Sequence, residues 1–218
     1  LTFAGHGGTG VHDAWDDVTP NAYEESWDVV SGADASRVNG TTADNSFGYV
    51  SPAMQGVTLS ASYYTPASGN ASTYQDFGIK VSPEMVEGLE IGYAFGTSEA
   101  TAGTEVDEST MYVKYAVGAV TVGYQTSDFD APTSTDSDDS VMWGISYAVN
   151  DSFSIAYNTS TFDLGSSTTD QESDGISASY TMGGITVAGA MNQTDNVAGS
   201  TATTADKDAY EMSISFAF

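Results

Sequence analysis

Eight carboxylates crowd one stretch of 37 residues, Thr9 to Asn45, against a single strong base, Arg37. They are Asp13, Asp16, Asp17, Glu24, Glu25, Asp28, Asp34 and Asp44. Carboxylates ionised at neutral pH draw cations and repel anions, and set beside a narrow passage they decide which ions cross it. The same stretch holds Val11, Trp15, Val18, Pro20, Tyr23, Trp27, Val29 and Val30, with no alternation of apolar and polar positions. Irregular loops of this length are uncommon and are functional or disordered. The interspersed apolar residues argue for packing, so this loop is expected to fold inward and make a negatively charged constriction. Lys80 and Lys114 are candidates for a positive wall facing it; alternatively they line the wall and pair with neighbours such as Asp76 or Glu90.

A second group of acids has the makings of a cation site. Asp128 and Asp130, then Asp136, Asp138 and Asp139, and further on Asp170, Glu172 and Asp174 place oxygen ligands on segments that read as loops. Oxygen ligands of this kind suit calcium, although the spacing is not that of an EF-hand, and acids on a solvated loop need no ion. No cofactor is otherwise called for.

Other chemistry is poorly supplied. His6 and His12 are the two histidines, and neither sits in a metalloprotease helix motif. His6 falls on the polar side of a strand and reads as a wall residue. With no cysteine there is no thiol nucleophile, zinc-thiolate site or disulfide framework. A formal net charge of −26 rules against nucleic acid as a partner. No run of about 18 apolar residues is present, so a transmembrane helix is not expected. The first residue is Leu1 with no basic-then-apolar leader, which points to a processed or shortened chain.

The elements that must position these acids are strands. Beyond the insertion the chain alternates with period two. Val57, Leu59, Ala61 and Tyr63 share one face, as do Phe77, Ile79 and Val81; Leu89, Ile91, Tyr93 and Phe95; Met111, Val113, Tyr115 and Val117; and Val141, Trp143, Ile145 and Tyr147. Strands are predicted at 1–8, 46–51, 57–63, 73–81, 89–95, 110–117, 120–124, 140–148, 153–158, 175–182, 185–191 and 208–218. Short turns alternate with long Ser/Thr/Asp/Gly-rich loops, and a hairpin beginning at Tyr115 is echoed at Tyr147 and Tyr180. The polar faces carry glycine, serine and threonine, with few of the charges that guard the wet face and edges of a soluble sheet. Tyrosine or phenylalanine closes most apolar rows, as rings do at membrane interfaces. An all-β transmembrane antiparallel up-and-down barrel follows, a single domain over residues 1–218, since only closure satisfies backbone groups in lipid.

The last strand carries a resemblance. Tyr210, Met212, Ile214, Phe216 and the terminal Phe218 share a face, and such an ending is similar to the sorting signal of bacterial outer-membrane barrels. With Phe47-Gly-Tyr-Val-Ser-Pro52, Gly56-Val-Thr-Leu-Ser-Ala-Ser-Tyr63 and the acidic loop before them, the chain resembles a general porin of the Gram-negative outer membrane. The resemblance implies a homotrimer of sixteen-stranded barrels among outer-membrane lipid and lipopolysaccharide. It further implies passive diffusion of small hydrophilic solutes through a pore narrowed by its third long loop. On that reading four strands belong ahead of Leu1, while twelve, being even, also allows a complete smaller barrel. A surface-binding or adhesin barrel with long acidic loops and no open channel is the alternative.

Overall fold

The structure, a computed structural model, describes residues 1–38, 40, 44–65, 73–99, 105–133, 135 and 137–217. Asp136 and Phe218, both used above, lie outside them. Twelve strands follow one another: β1 (Thr2–Ala4), β2 (Ser46–Val50), β3 (Val57–Tyr64), β4 (Thr73–Val81), β5 (Leu89–Glu99), β6 (Glu105–Val117), β7 (Val120–Asp130), β8 (Asp138–Asn150), β9 (Phe153–Leu164), β10 (Gln171–Met182), β11 (Ile185–Asp195) and β12 (Lys207–Phe216). Each pairs antiparallel with the next, giving one up-and-down sheet in sequence order. Among the described residues no helix is long and apolar enough to cross a membrane.

The sheet is inverted relative to a soluble one. Leu59, Val122, Trp143 and Ile145, which would lie between two sheets in a sandwich, are 39 to 45% exposed. The fully buried side chains are instead largely polar: Asp76, Thr110, Gln125, Asn158, Gln171 and Thr194. The period-two pattern accounts for both facts, because successive side chains project to opposite faces. Apolar rows point outward, and polar and small residues point inward, as in a barrel surrounded by lipid. Trp27, Ala35 and Met142 form an apolar cluster of the interior.

Seven strands run two or more residues further toward the long-loop rim than predicted. β6 begins at Glu105 instead of 110, β7 continues to Asp130 instead of 124, and β9 to Leu164 instead of 158; β5, β8, β10 and β11 are also lengthened on that side. The added segments still alternate in burial, but their outward positions are polar and include Asp107, Asp128, Asp130, Asp139, Asp163, Glu172 and Asp174. Hydrophobic period marks only the part of a strand that meets lipid, and the ladder continues past it. At the other rim the connections are tight, with Gly118 (φ 59°) and Gly183 (φ 61°) supplying left-handed backbone where an L side chain would be strained.

Candidate functional site

The described residues of the segment between β1 and β2 run, from Val11 to Arg37, along the inner face of the sheet, held by a succession of inward side chains. Its root is fixed first. Asp76 of β4 accepts from the backbone N–H groups of Val11 (2.7 Å) and His12 (3.1 Å), and its other oxygen accepts from the Ser62 hydroxyl of β3. His12 is fully buried, with Nδ1 2.8 Å from the Tyr74 hydroxyl, which itself donates to Glu108 of β6. One hydroxyl proton cannot serve both contacts, so Nδ1–H of His12 is the donor to Tyr74. Nε2 is buried without a hydrogen-bond partner among the described residues. Burial lowers the His12 pKa, against the pull of Asp76, so the ring is neutral at neutral pH.

From there the loop crosses the wall strand by strand. The Gln125 side chain of β7 accepts from Val18 N–H (2.8 Å) and donates to the carbonyls of Trp15 and Asp16 (2.8 Å each). Asn158 of β9 donates to Pro20 O (2.8 Å), Ser177 of β10 accepts from Ala22 N–H (3.2 Å), and Asn192 of β11 donates to Glu25 O (2.7 Å). Tyr23 donates to Glu211 of β12. On the return leg Trp27 and Ala35 pack on Met142, and Gln171 donates to Asp34 O. Lys207 donates to Ser31 O (2.7 Å), and Arg37 pairs with Asp138 (2.9 Å) over the Phe129 ring. Irregular backbone cannot be left unpaired away from bulk water. These side chains supply the partners that a ladder would supply in a strand.

Glycines open the space for it. A Cβ on Gly78 would sit 2.6 Å from Val11 Cγ1, on Gly123 2.5 Å from Pro20 Cδ, and on Gly144 2.9 Å from Pro20 O. Bare backbone at these inward positions forms a track into which the loop settles.

The acids gather along the outgoing leg. Carboxylate oxygens of Asp17, Glu25 and Asp28 lie within 4.8 Å of one another, close enough to share a hard cation. The Glu25 side chain is buried and accepts from Asn21, while Asp17 and Asp28 keep surface on the lumen. Desolvation by the surrounding protein, then repulsion from Asp16, Asp28 and Glu24, raises the Asp17 pKa to about 7. Burial, then contact with Asp28 and the charge of Asp17, raises Glu25 to about 9. Asp13, Asp16 and Glu24 are also raised, each chiefly by desolvation. Asp44 lies apart, its pKa lowered by the Gly7 N–H and by His6, whose Nδ1 is 2.6 Å away. His6 is therefore an exposed partner of Asp44 in the loop, not a wall residue.

Of the two readings of the lysines, the structure shows the second, wall residues paired with Glu90. Lys80 and Lys114 each approach Glu90 at 3.5 Å. Tyr112 donates to the same carboxylate (3.1 Å), and Trp15 of the loop packs edge-on against the Tyr112 ring. The lysines thus adjoin the loop's root on the strands that carry it, toward the short turns, and do not face it across an opening. Arg37, expected as the base within the constriction, is drawn to the wall by Asp138.

The calcium group is likewise divided. Asp128, Asp130, Asp138 and Asp139 belong to strand ends and not to loops, and alternation sends Asp138 inward to Arg37 while Asp128, Asp130 and Asp139 point outward. Asp128 and Asp139 are cross-strand partners, but Asp138 cannot join them. Among the described residues the acids that do converge are Asp17, Glu25 and Asp28.

The wall residues that hold the loop escaped the sequence reading. Gln125, Asn158, Gln171 and Asn192 carry large amides on an inner face where glycine, serine and alanine are frequent, and that contrast was the available signal.

The sequence profile of the Gram-negative porin family matches residues 5–198. No curated protein matches the chain. Among solved structures, OmpT of Vibrio cholerae in a trimer form superposes with TM-score 0.65 at 13% identity, covering 98% of this chain and 76% of that one. An anion-selective porin from Comamonas acidovorans gives 0.65 at 16% identity, with coverage of 89% and 64%. A porin refined at 1.8 Å resolution gives 0.67 at 14% identity, with coverage of 99% and 80%. The inverted sheet, the loop on its inner wall and the profile match over most of the chain agree: this chain belongs to the Gram-negative porin family, whose place is the outer membrane.

Proposed function

We propose that the chain forms a passive pore in the outer membrane through which small hydrophilic solutes and ions diffuse, that the pore favours cations, and that it catalyses no reaction. The selectivity rests on Asp17 and Asp28, with Glu25 adding charge as pH rises toward about 9; the wall amides hold the loop that carries them, while Lys80 and Lys114 share the single carboxylate of Glu90 and Arg37 pairs with Asp138. Asp13, Asp16 and Glu24 add to the same field. One structural neighbour is described as anion-selective. The fold therefore does not fix the sign, which in this chain comes from its own side chains. We further propose a homotrimer, following the trimer form of a neighbour, with the outward apolar rows against lipid and lipopolysaccharide. Passive diffusion calls for no cofactor.

Liposome swelling tests the pore. Vesicles carrying the protein should swell in isosmotic small sugars, at a rate falling with solute size. Vesicles that stay shut would leave a plugged surface-binding barrel as the better account.

A further inference from the structure

The groups that favour anions are few, and the fold collects two of them in one place. Lys80, Glu90 and Lys114 stand near the short-turn ends of β4, β5 and β6, with Glu90 and Lys114 beside residues Val18–Asn21 of the loop. Two ammonium groups about one carboxylate leave a net charge of +1. Each ammonium meets Glu90 at 3.5 Å, longer than a strong charge-assisted hydrogen bond, and each has three donors. Both lysine side chains remain more than a third exposed.

Beside Lys114 a recess of about 580 Å³ runs under Val18–Asn21, with the hydroxyls of Ser82, Thr121 and Ser146 on its wall. Lys80 borders a neighbouring recess under Ala14 and Trp15.

We propose that this Lys80–Glu90–Lys114 island is a binding subsite for the carboxylate or phosphate group of a small solute, reached from the short-turn side of the pore. The proposal rests on the pore reading above. It follows from charge placement: an anion arriving from the long-loop side must pass Asp13 to Asp28, whereas one from the other side meets the lysines first. The hydroxyls of the recess suit a solute that carries further hydroxyl groups. Glu90 holds the two ammonium groups together and also competes with the ligand, so its removal should strengthen binding.

Inorganic phosphate is the probe. A potassium current is recorded across single channels in a planar bilayer, with orientation read from one cysteine placed at Asp151, an exposed short-turn position in a chain that has no cysteine of its own. Phosphate added on the short-turn side should block the current saturably, and block from the long-loop side should need a concentration about fivefold higher or more. Lys114→Gln and Lys80→Gln should each raise the half-blocking concentration about fivefold, the worth of one charge at roughly 4 Å in water. Glu90→Gln should lower it by a similar factor. Phosphate block absent from both sides, equal from both, or unchanged in the lysine variants would overturn the subsite while leaving the pore standing. A correctly inserted protein that carries no current would overturn the pore reading and this inference with it.

Discussion

The Asp17 and Glu25 side chains carry the most direct pH dependence in the molecule. Both pKa values are raised, from 3.8 to about 7 and from 4.5 to about 9, so the docked loop favours their neutral forms. The stability they contribute to docking is fully present below the ordinary carboxylate range and is lost as pH rises through about 7 and then about 9. Ionisation, by contrast, adds negative charge to the pore. Cation preference should therefore grow between pH 6 and pH 9 while the loop becomes easier to clip by protease; reversal potentials and limited proteolysis across that range check both. A flat profile would show that the two side chains titrate as free carboxylates. The acids were legible in the sequence because their number and their lack of bases survive any folding. Their partners were not: Asn192 meets Glu25 O across 167 residues of chain, and an amide bonded to a distant backbone leaves no local period. Gln125 makes three such contacts, so Gln125→Ala should strand three loop groups. It should weaken docking by more than Asn158→Ala, on the order of 1 to 3 kcal/mol per buried group left unpaired.

The loop and its glycine track form one element in two parts. Gly123 and Gly144 face Pro20 so closely that any side chain must displace it. Gly123→Val should therefore lift the middle of the loop off the wall, with faster proteolysis within residues 17–28 and altered single-channel conductance, while Gly48→Val, with nothing near its Cβ position, should change neither. The sequence located this loop by the failure of alternation, and located the strands wherever alternation was apolar. It cut the strands short at the long-loop rim because outward residues there, Asp128 and Asp130 among them, meet water and no longer differ in hydropathy from inward Gln125 and Ser127. The grouping of the rim acids changed with those boundaries: Asp138 and Asp139 read as neighbours in a loop, but in a strand they point to opposite faces.

Over the whole molecule, one inversion underlies both fold and function. Apolar rows turned outward require lipid, and the interior they leave behind is polar enough to hold water and a charged loop. Ile145→Arg, on the outward face midway along β8, should cost about 2 to 4 kcal/mol of folding into a bilayer, measured by denaturant titration in lipid vesicles; an inward substitution such as Ser146→Arg should cost little. This inversion was legible from period two together with the scarcity of lysine and arginine on the polar faces. The position of the bases was not, since parity places Lys80 and Lys114 on the inner face but says nothing of which side of the opening they occupy.

The measurement that bears most directly on an acidic loop narrowing a diffusion pore is the reversal potential under a potassium chloride gradient, for the native chain and for Asp17→Asn, Glu25→Gln and Asp28→Asn combined. The native pore should show a potential of the sign set by potassium, and the triple variant should move it toward zero with the channel still open. An anion-directed potential in the native chain, or one indifferent to the three substitutions, would contradict the account.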